Sequence, residues 1–233
     1  MKSPNIEITI KNALSAGRKS LLEPEALELL KAFEIPAPEY IVVKDADEAV
    51  SAANKIGCPV VLKVVSQDIL HKTEAGGVRT GLKNAQEVLD SFNEMLFEIS
   101  DHYPTASIEG FLIEKEAQNG VEVIVGAIRD PVFDISLMFG IGGVMVELMK
   151  DVSFRIAPVT KEECATMMKE IKAYPMLTGY RGSPPVNLDK IADCLIKVGS
   201  IMKEISDIKE IEINPLIAYP DKVVAVDARV VLA

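Results

Sequence analysis

The stretch Pro59-Val60-Val61-Leu62-Lys63-Val64-Val65 constrains this chain more than any other. It is an almost unbroken run of β-branched and apolar residues, the pattern of a buried strand. It carries one charge, Lys63. An ammonium at such a place must pair with an acid or point into a polar cleft, because taking it out of water uncompensated is too costly. Lysine is also a common point-charge ligand of phosphate. Lys63 therefore reads either as a phosphate ligand or as a strand-end lysine that reaches solvent.

Helices and strands alternate around this run. Glu23-Pro24-Glu25 opens a helix whose apolar positions are Ala26, Leu27, Leu29, Leu30 and Phe33, with proline and acids in the first turn as entry signals. Ile35-Pro36-Ala37-Pro38 stops it. The residues before Ser20 read as helix with an ambiguous start. Tyr40–Val43 reads as a strand, Asp45–Ile56 as a helix, Val78–Leu82 as a strand and Ala85–Ile99 as a helix. Asp101-His102-Tyr103-Pro104 reads as a turn that leaves His102 on the surface.

The middle of the chain changes character. Ile108–Glu114, Val121–Ile128, Phe133–Phe139, Val144–Glu147 and Phe154–Ala157 are strand candidates separated by Gly, Pro and Asp, which implies an antiparallel sheet. Helices are expected at Lys161–Ile171 and Leu188–Ile205, and a closing hairpin at Ile208–Ala218 and Val223–Val231. The pattern predicts an α+β protein of two lobes that share a cleft: residues 1–108 and residues 109–233.

Charge and composition remove whole classes of function. Lys and Arg number 25 against 35 Asp and Glu, a net charge of −10. Such a surface repels phosphate backbones, so nucleic acid is not expected as a partner, although a pocket with a few local cations is still open to a nucleotide. The longest uncharged run, Ile135 to Val146, falls well short of the ~20 residues a bilayer requires. The N-terminus lacks a signal-like apolar core. Three cysteines, Cys58, Cys164 and Cys194, show no CxxC spacing, which fits a reducing cytoplasm better than a disulfide framework.

Four segments could carry chemistry. In 68-DILHKTEAGGVRTG-81, His71 stands just before Gly76-Gly77. Imidazole can form a covalent intermediate, and paired glycines let backbone N–H groups approach phosphate oxygens. The alternative is an exposed histidine in a polar loop. In 113-IEKEAQNGVE-122, Glu114 and Glu122 could contact an adenine amino group and a ribose, or simply form an acidic hairpin. The glycine-rich Phe139–Gly143 turn opens no clear helix, so it is not a dinucleotide fingerprint. In 212-EINP-215, Glu212 and Asn214 lie two apart and face one side of a strand, where Asp227 on the next strand could meet them. Such oxygens suit Mg²⁺, which takes a few protein ligands plus phosphate oxygens; solvated edge residues are the other reading.

Taken in order, Lys63, Glu114, Asn214 and Asp227 resemble the ATP-grasp fold. LKVVSQDILHKTEAGGV, FLIEKEAQNGVEVIVGAIRDPVFD, FGIGGVMVELMKDVSFRIAP, GYRGSPPVNLDKIA and EINPL…VVAVDARV resemble the beta subunit of ADP-forming acetyl-CoA synthetases, relatives of succinyl-CoA synthetase. The resemblance runs from about Leu22 to the end. It implies the reaction acyl-CoA + ADP + phosphate ⇌ acid + CoA + ATP, carried out with a CoA-binding alpha subunit that bears the primary phosphohistidine, in a complex of two large and two small subunits. It also implies ATP/ADP and Mg²⁺ as ligands. Lys63, Gly76, Gly77, Glu114 and Glu122 are then expected at the nucleotide, Asn214 and Asp227 at the metal, Glu212 supporting that site or orienting a histidine, and His71 relaying the phosphoryl group to ADP. Two other readings stay open: another ATP-grasp carboxylate ligase, such as a succinyl-CoA ligase subunit, and a non-catalytic ADP sensor.

Overall fold

A computed structural model describes residues 4–69, 71–142 and 151–233. The expected strand Val144–Glu147 and Gly143 lie outside the described residues. The chain opens with α1 (Pro4–Ser15) and α2 (Glu23–Ala32). The start of α2 follows its sequence signals: Glu25 accepts from the Leu22 N–H at 2.8 Å and takes Arg18 in a bidentate pair at 2.7 and 2.8 Å. That arrangement closes off otherwise orphaned first-turn donors and places negative charge at the positive end of the helix.

Residues Pro38–Gln118 form one compact unit. In chain order it holds β1 (Tyr40–Val43), α3 (Ala46–Ile56), β2 (Val60–Ser66), β3 (Val78–Leu82), α4 (Ala85–His102) and β4 (Ile108–Lys115). The sheet order is β1-β4-β2-β3, antiparallel throughout. Asp45 and Asn84 cap the two helices by accepting the N–H groups of Glu48 and Glu87 at 2.8 and 3.0 Å. Val88, Phe92, Met95 and Ile99 share one face of α4 and pack on Leu62, Val64, Phe111 and Ile113 from the sheet. Phe92 and Phe111 sit with ring centroids 4.4 Å apart. The expected turn at Asp101–His102 is instead the last turn of α4: Tyr103 N–H still reaches the Ile99 carbonyl at 2.8 Å. The helix ends only where Pro104 can no longer supply an N–H.

The second unit is discontinuous, residues Met1–Ala37 with Asn119–Ala233. After α1 and α2 it contains β5 (Val121–Asp130), β6 (Asp134–Ile141), β7 (Val152–Ile156), α5 (Lys161–Glu170), α6 (Tyr174–Leu177), α7 (Leu188–Glu204), β8 (Ile208–Ala218), β9 (Val223–Ala225) and β10 (Ala228–Leu232). The strand path is β10-β8-β5-β6-β7, with β9 on β8. A Thr160–Glu163 capping box starts α5 and Asn187 caps α7. Ile191, Leu195, Val198 and Met202 of α7 are buried, as are the inward-facing Val125, Leu137, Phe139, Ile211 and Ile213 of the sheet. Cys164 and Cys194 lie within this helical layer as small apolar packers. Burial pushes their thiols up to about 11 and about 12.

These units differ from a division at residue 108. Strand β4 pairs with both β1 and β2, so it is the centre of the first sheet, not the start of the second lobe. The N-terminal helices belong with the C-terminal strands. Leu21 N–H donates to the Val230 carbonyl at 3.0 Å, Leu232 N–H to Lys19 at 2.8 Å and Ala225 N–H to Pro36 at 2.8 Å.

Candidate functional site

Register places Lys63 and Glu114 together. Val61 lies opposite Glu114 in the β2–β4 ladder, and Lys63 opposite Leu112. Lys63 and Glu114 are therefore diagonal neighbours on the face turned away from the α3–α4 core. Lys63 Nζ donates to Glu114 Oε2 at 3.2 Å, with side-chain exposures of 4% and 0%. Of the two placements the sequence allows for a lysine in this run, pairing with an acid is the one adopted. In the first unit the expected nucleotide cation and the expected adenine carboxylate thus form one buried ion pair.

His71 stands exposed just before a tight turn over residues 72–76. Its carbonyl accepts the Ala75 N–H at 3.1 Å. The two glycines have reasons of their own. Gly76 adopts φ +70°, where a side chain is strained. A Cβ on Gly77 would stand 2.5 Å from Val64 Cγ1. Their N–H groups donate to the Thr73 and Lys72 carbonyls at 3.2 and 2.7 Å, so in this structure both donors are engaged within the turn. Close packing on β2 is what calls for glycine at 77. Gly77→Ala is expected to destabilise the chain by about 1–3 kcal/mol through overpacking, read as a lower midpoint in urea unfolding. The loop is braced at both ends. Gly77 carbonyl accepts from Val64 at 2.9 Å, Asp68 Oδ2 accepts from Ser107 N–H at 2.7 Å, and Arg79 bridges the Gly76 carbonyl and Glu98 at 2.5 and 2.7 Å.

The second unit holds four more of the expected residues, Glu122, Glu212, Asn214 and Asp227. Gly126 lies opposite Glu212, and Glu212 opposite Arg229, across β5, β8 and β10. β8 carries one extra residue at Asn214-Pro215: Val125 faces Ile213, but Val123 faces Leu216. A proline in a strand has no N–H for the ladder, and such bulges re-aim neighbouring side chains. The break between β9 and β10 meets this bulge. Val226 N–H donates to the Pro215 carbonyl, and Asn214 N–H to the Asp227 carbonyl, at 3.1 Å each. Asp227 therefore sits in a gap between strands, not within the single strand Val223–Val231 that the sequence suggests. Glu122 of β5 opposes Ile217 of β8 and is exposed. The alternation along β5 puts it on the same face as Gly126, and thus as Glu212.

Burial pushes the Glu212 carboxyl above its usual range. Neighbouring Glu210 and Asp227 add to this, while Arg229 and a hydrogen bond with Asn214 oppose it. Crowded carboxylates of this kind are what a bound cation relieves. Among the described residues no group of three or more His, Cys, Asp or Glu could hold a metal ion; what Glu212, Asn214 and Asp227 offer together is carboxylate and amide oxygen. That chemistry fits Mg²⁺, which completes its octahedron with water and phosphate. Arg229 was not singled out from sequence. The signal was its place two residues after Asp227, which puts a cation on the Glu212 face.

With these placements in hand, the chain can be compared with known proteins. Residues 12–232 match the model of an ATP-grasp domain. The chain belongs to the ATP-grasp family. Within it, the chain is 48% identical over 217 residues to the acetate–CoA ligase [ADP-forming] I subunit beta of Pyrococcus furiosus, covering 93% of this chain and 94% of that one. It also matches the dinucleotide-forming acetyl-coenzyme A synthetase 1 of Ca. Korarchaeum cryptofilum in complex with coenzyme A and Ca-AMPCP. That match has a TM-score of 0.94 and 44% identity, and covers 96% of this chain and 98% of that chain. A second structure of the same enzyme holds coenzyme A and Mg-AMPPCP, with its phosphohistidine segment pointing towards the nucleotide binding site (TM-score 0.86, 41% identity, 98% and 100% covered). The α+β ATP-grasp fold expected from the sequence is the fold observed.

Proposed function

We propose that this ATP-grasp chain is the nucleotide-binding beta subunit of an ADP-forming acyl-CoA synthetase, converting acyl-CoA, ADP and phosphate into acid, CoA and ATP through phosphohistidine intermediates. The observation that carries the reading is an exposed histidine on a braced turn beside strand β2, whose own lysine is buried against Glu114. The relatives' names and complexes support the same chemistry. A beta subunit works with an alpha subunit, and we read the complex as two of each, in the cytoplasm. No helix among the described residues is long and apolar enough to cross a membrane.

In this reading the His71 imidazole nitrogen attacks phosphorus delivered from the alpha subunit's phosphohistidine. A new P–N bond forms as the old one breaks. A terminal oxygen of ADP then attacks the same phosphorus, and the P–N bond to His71 breaks to give ATP. Lys63, oriented by Glu114, offsets phosphate charge, and Glu114 and Glu122 contact the adenine amino group and the ribose. Gly76 and Gly77 shape the turn that brings His71 to the nucleotide. Asn214 and Asp227 would hold Mg²⁺, with Glu212 steadying them. When bound, the ion supplies positive charge to the phosphate oxygens.

The test is to incubate the chain, alone and with its alpha partner, with radiolabelled ATP and Mg²⁺. Acid-labile, base-stable label at His71 is expected. Tight ADP binding with no label in either sample would favour a sensor or a direct-transfer ligase. At the metal site, Asp227→Asn is expected to weaken Mg–ADP binding by at least about tenfold, one step of 1.4 kcal/mol. Titration calorimetry reads that change, and an unchanged affinity would remove Asp227 from the site.

A further inference from the structure

One side chain ties the turn that follows His71 to helix α4. Arg79, at the start of β3, sends its guanidinium back to the turn. Nη1 donates to the Gly76 carbonyl at 2.5 Å and to the Val78 carbonyl at 3.2 Å. Nη2 donates to Glu98 Oε2 at 2.7 Å. The three groups are packed against one another: a Cβ on Gly76 would stand 2.9 Å from that Glu98 oxygen and 3.8 Å from Arg79 Nη1. α4 gives the bridge a firm footing, because Met95 and Ile99, on either side of Glu98, are buried in the core of the unit.

Stability is a poor reason for this bridge. Arg79 is 25% exposed and Glu98 44%, and ion pairs at such exposure add little to folding. What the bridge fixes is position. The Gly76 N–H donates to the Thr73 carbonyl and the Ala75 N–H to the His71 carbonyl, so holding Gly76 holds the turn that starts at His71. The histidine is exposed; the core does not place its ring, and the backbone of the turn does. Group transfer needs reacting atoms about 3–3.5 Å apart and aligned, and a misplacement of about 1 Å costs on the order of a hundredfold. The bridge also calls for arginine. A planar fork meets a carbonyl with one nitrogen and a carboxylate with another, whereas a lysine ammonium is a single point charge.

We propose that Arg79 and Glu98 are positioning residues for phosphoryl transfer, their bridge setting the turn so that the His71 imidazole meets phosphorus at reacting distance. The inference rests on the reading of His71 as the relay, and both residues act through the turn. Arg79→Lys keeps the charge but not the fork. Glu98→Leu removes the footing, and Glu98→Gln keeps an oxygen that the guanidinium can still bond. Each variant is assayed in the complex with the alpha partner for kcat and for the KM of ADP in the direction of ATP formation. His71→Asn is run beside them, and melting is recorded on the same samples.

Arg79→Lys and Glu98→Leu are each expected to lower kcat by about 10- to 100-fold, with the KM of ADP unchanged within about twofold and the melting temperature within about 2 °C. Glu98→Gln is expected to recover most of the loss. The double variant Arg79→Lys/Glu98→Leu is expected to be no slower than the slower single one, because both changes break one bridge. Unchanged kcat in Arg79→Lys and Glu98→Leu, beside an inactive His71→Asn, would overturn the positioning role and leave the relay standing. A raised KM at unchanged kcat, or a loss of kcat that comes with a fall of 10 °C or more in melting, would overturn it too, since the bridge would then serve nucleotide binding or the fold. Full activity of His71→Asn would end the relay, and the inference with it.

Discussion

Replacing His71 with asparagine lowers turnover of the reconstituted complex by at least about 10³-fold and removes the acid-labile label, while Mg–ADP binding and the melting temperature stay as they were. The fold explains why such a clean separation is expected. The local structure draws on His71 through its carbonyl, which accepts the Ala75 N–H at 3.1 Å, and asparagine keeps that group. The imidazole is exposed, so its loss creates no cavity in the core. The loop around it is pinned by Asp68, Arg79 and the Gly77 carbonyl. What asparagine removes is the ring nitrogen that the proposed function makes the phosphoryl acceptor. Initial rates in the direction of ATP formation, with calorimetry on the same sample, decide the matter. Full activity of the variant would end the relay and leave direct transfer.

Breaking the Lys63–Glu114 pair is expected to have the largest effect on stability. Glu114→Ala withdraws the counter-charge 3.2 Å from an ammonium whose side chain is only 4% exposed. Removing one partner of a buried pair costs about 3–5 kcal/mol, which lowers the melting temperature by on the order of 10 °C in a chain of this size. Lys63→Met leaves the Glu114 carboxylate buried without that ammonium and is expected to cost a similar amount. The double variant Lys63→Met/Glu114→Leu separates stability from function. An apolar pair of similar volume restores most of the lost stability, yet nucleotide binding is expected to stay weak, because the proposed function has Lys63 offset phosphate charge. Calorimetric melting of the three variants reads the first effect and ADP titration the second. Single variants that each cost under about 1 kcal/mol would show that the pair is solvated in solution.

Local chemistry made most elements of this chain legible in its sequence. The Glu23-Pro24-Glu25 entry to α2, the Asp45 cap of α3, the apolar stripe of α4 and the continuous strand β2 each depend on residues close together along the chain, so their signals survive reading without a structure. Two placements in the candidate site were legible for the same reason. An ammonium in a buried strand demands a partner, and alternation puts Glu212 and Asn214 on one side. What stayed hidden depends on distant pairing. No periodicity announces that Leu21 will bond to Val230, so the N-terminal helices could not be assigned to the C-terminal unit. The separation of β9 from β10 comes from Pro215 on the neighbouring strand, a cause that residues 223–231 do not contain. The glycines at 76 and 77 were visible as glycines, but the packing of Gly77 against Val64 was not.

The discontinuous second unit bears on how the chain is made. Residues Pro38–Gln118 are contiguous and close their own sheet, so they can fold as soon as they leave the ribosome, as domains generally do. The first 37 residues cannot settle in the same way. Their anchors include the Val230 and Leu232 backbone groups, which are made only after the whole of that central unit. The helices α1 and α2 therefore wait for strands that lie on the far side of the central unit, and loss of β10 would leave that unit intact and the helices unfastened.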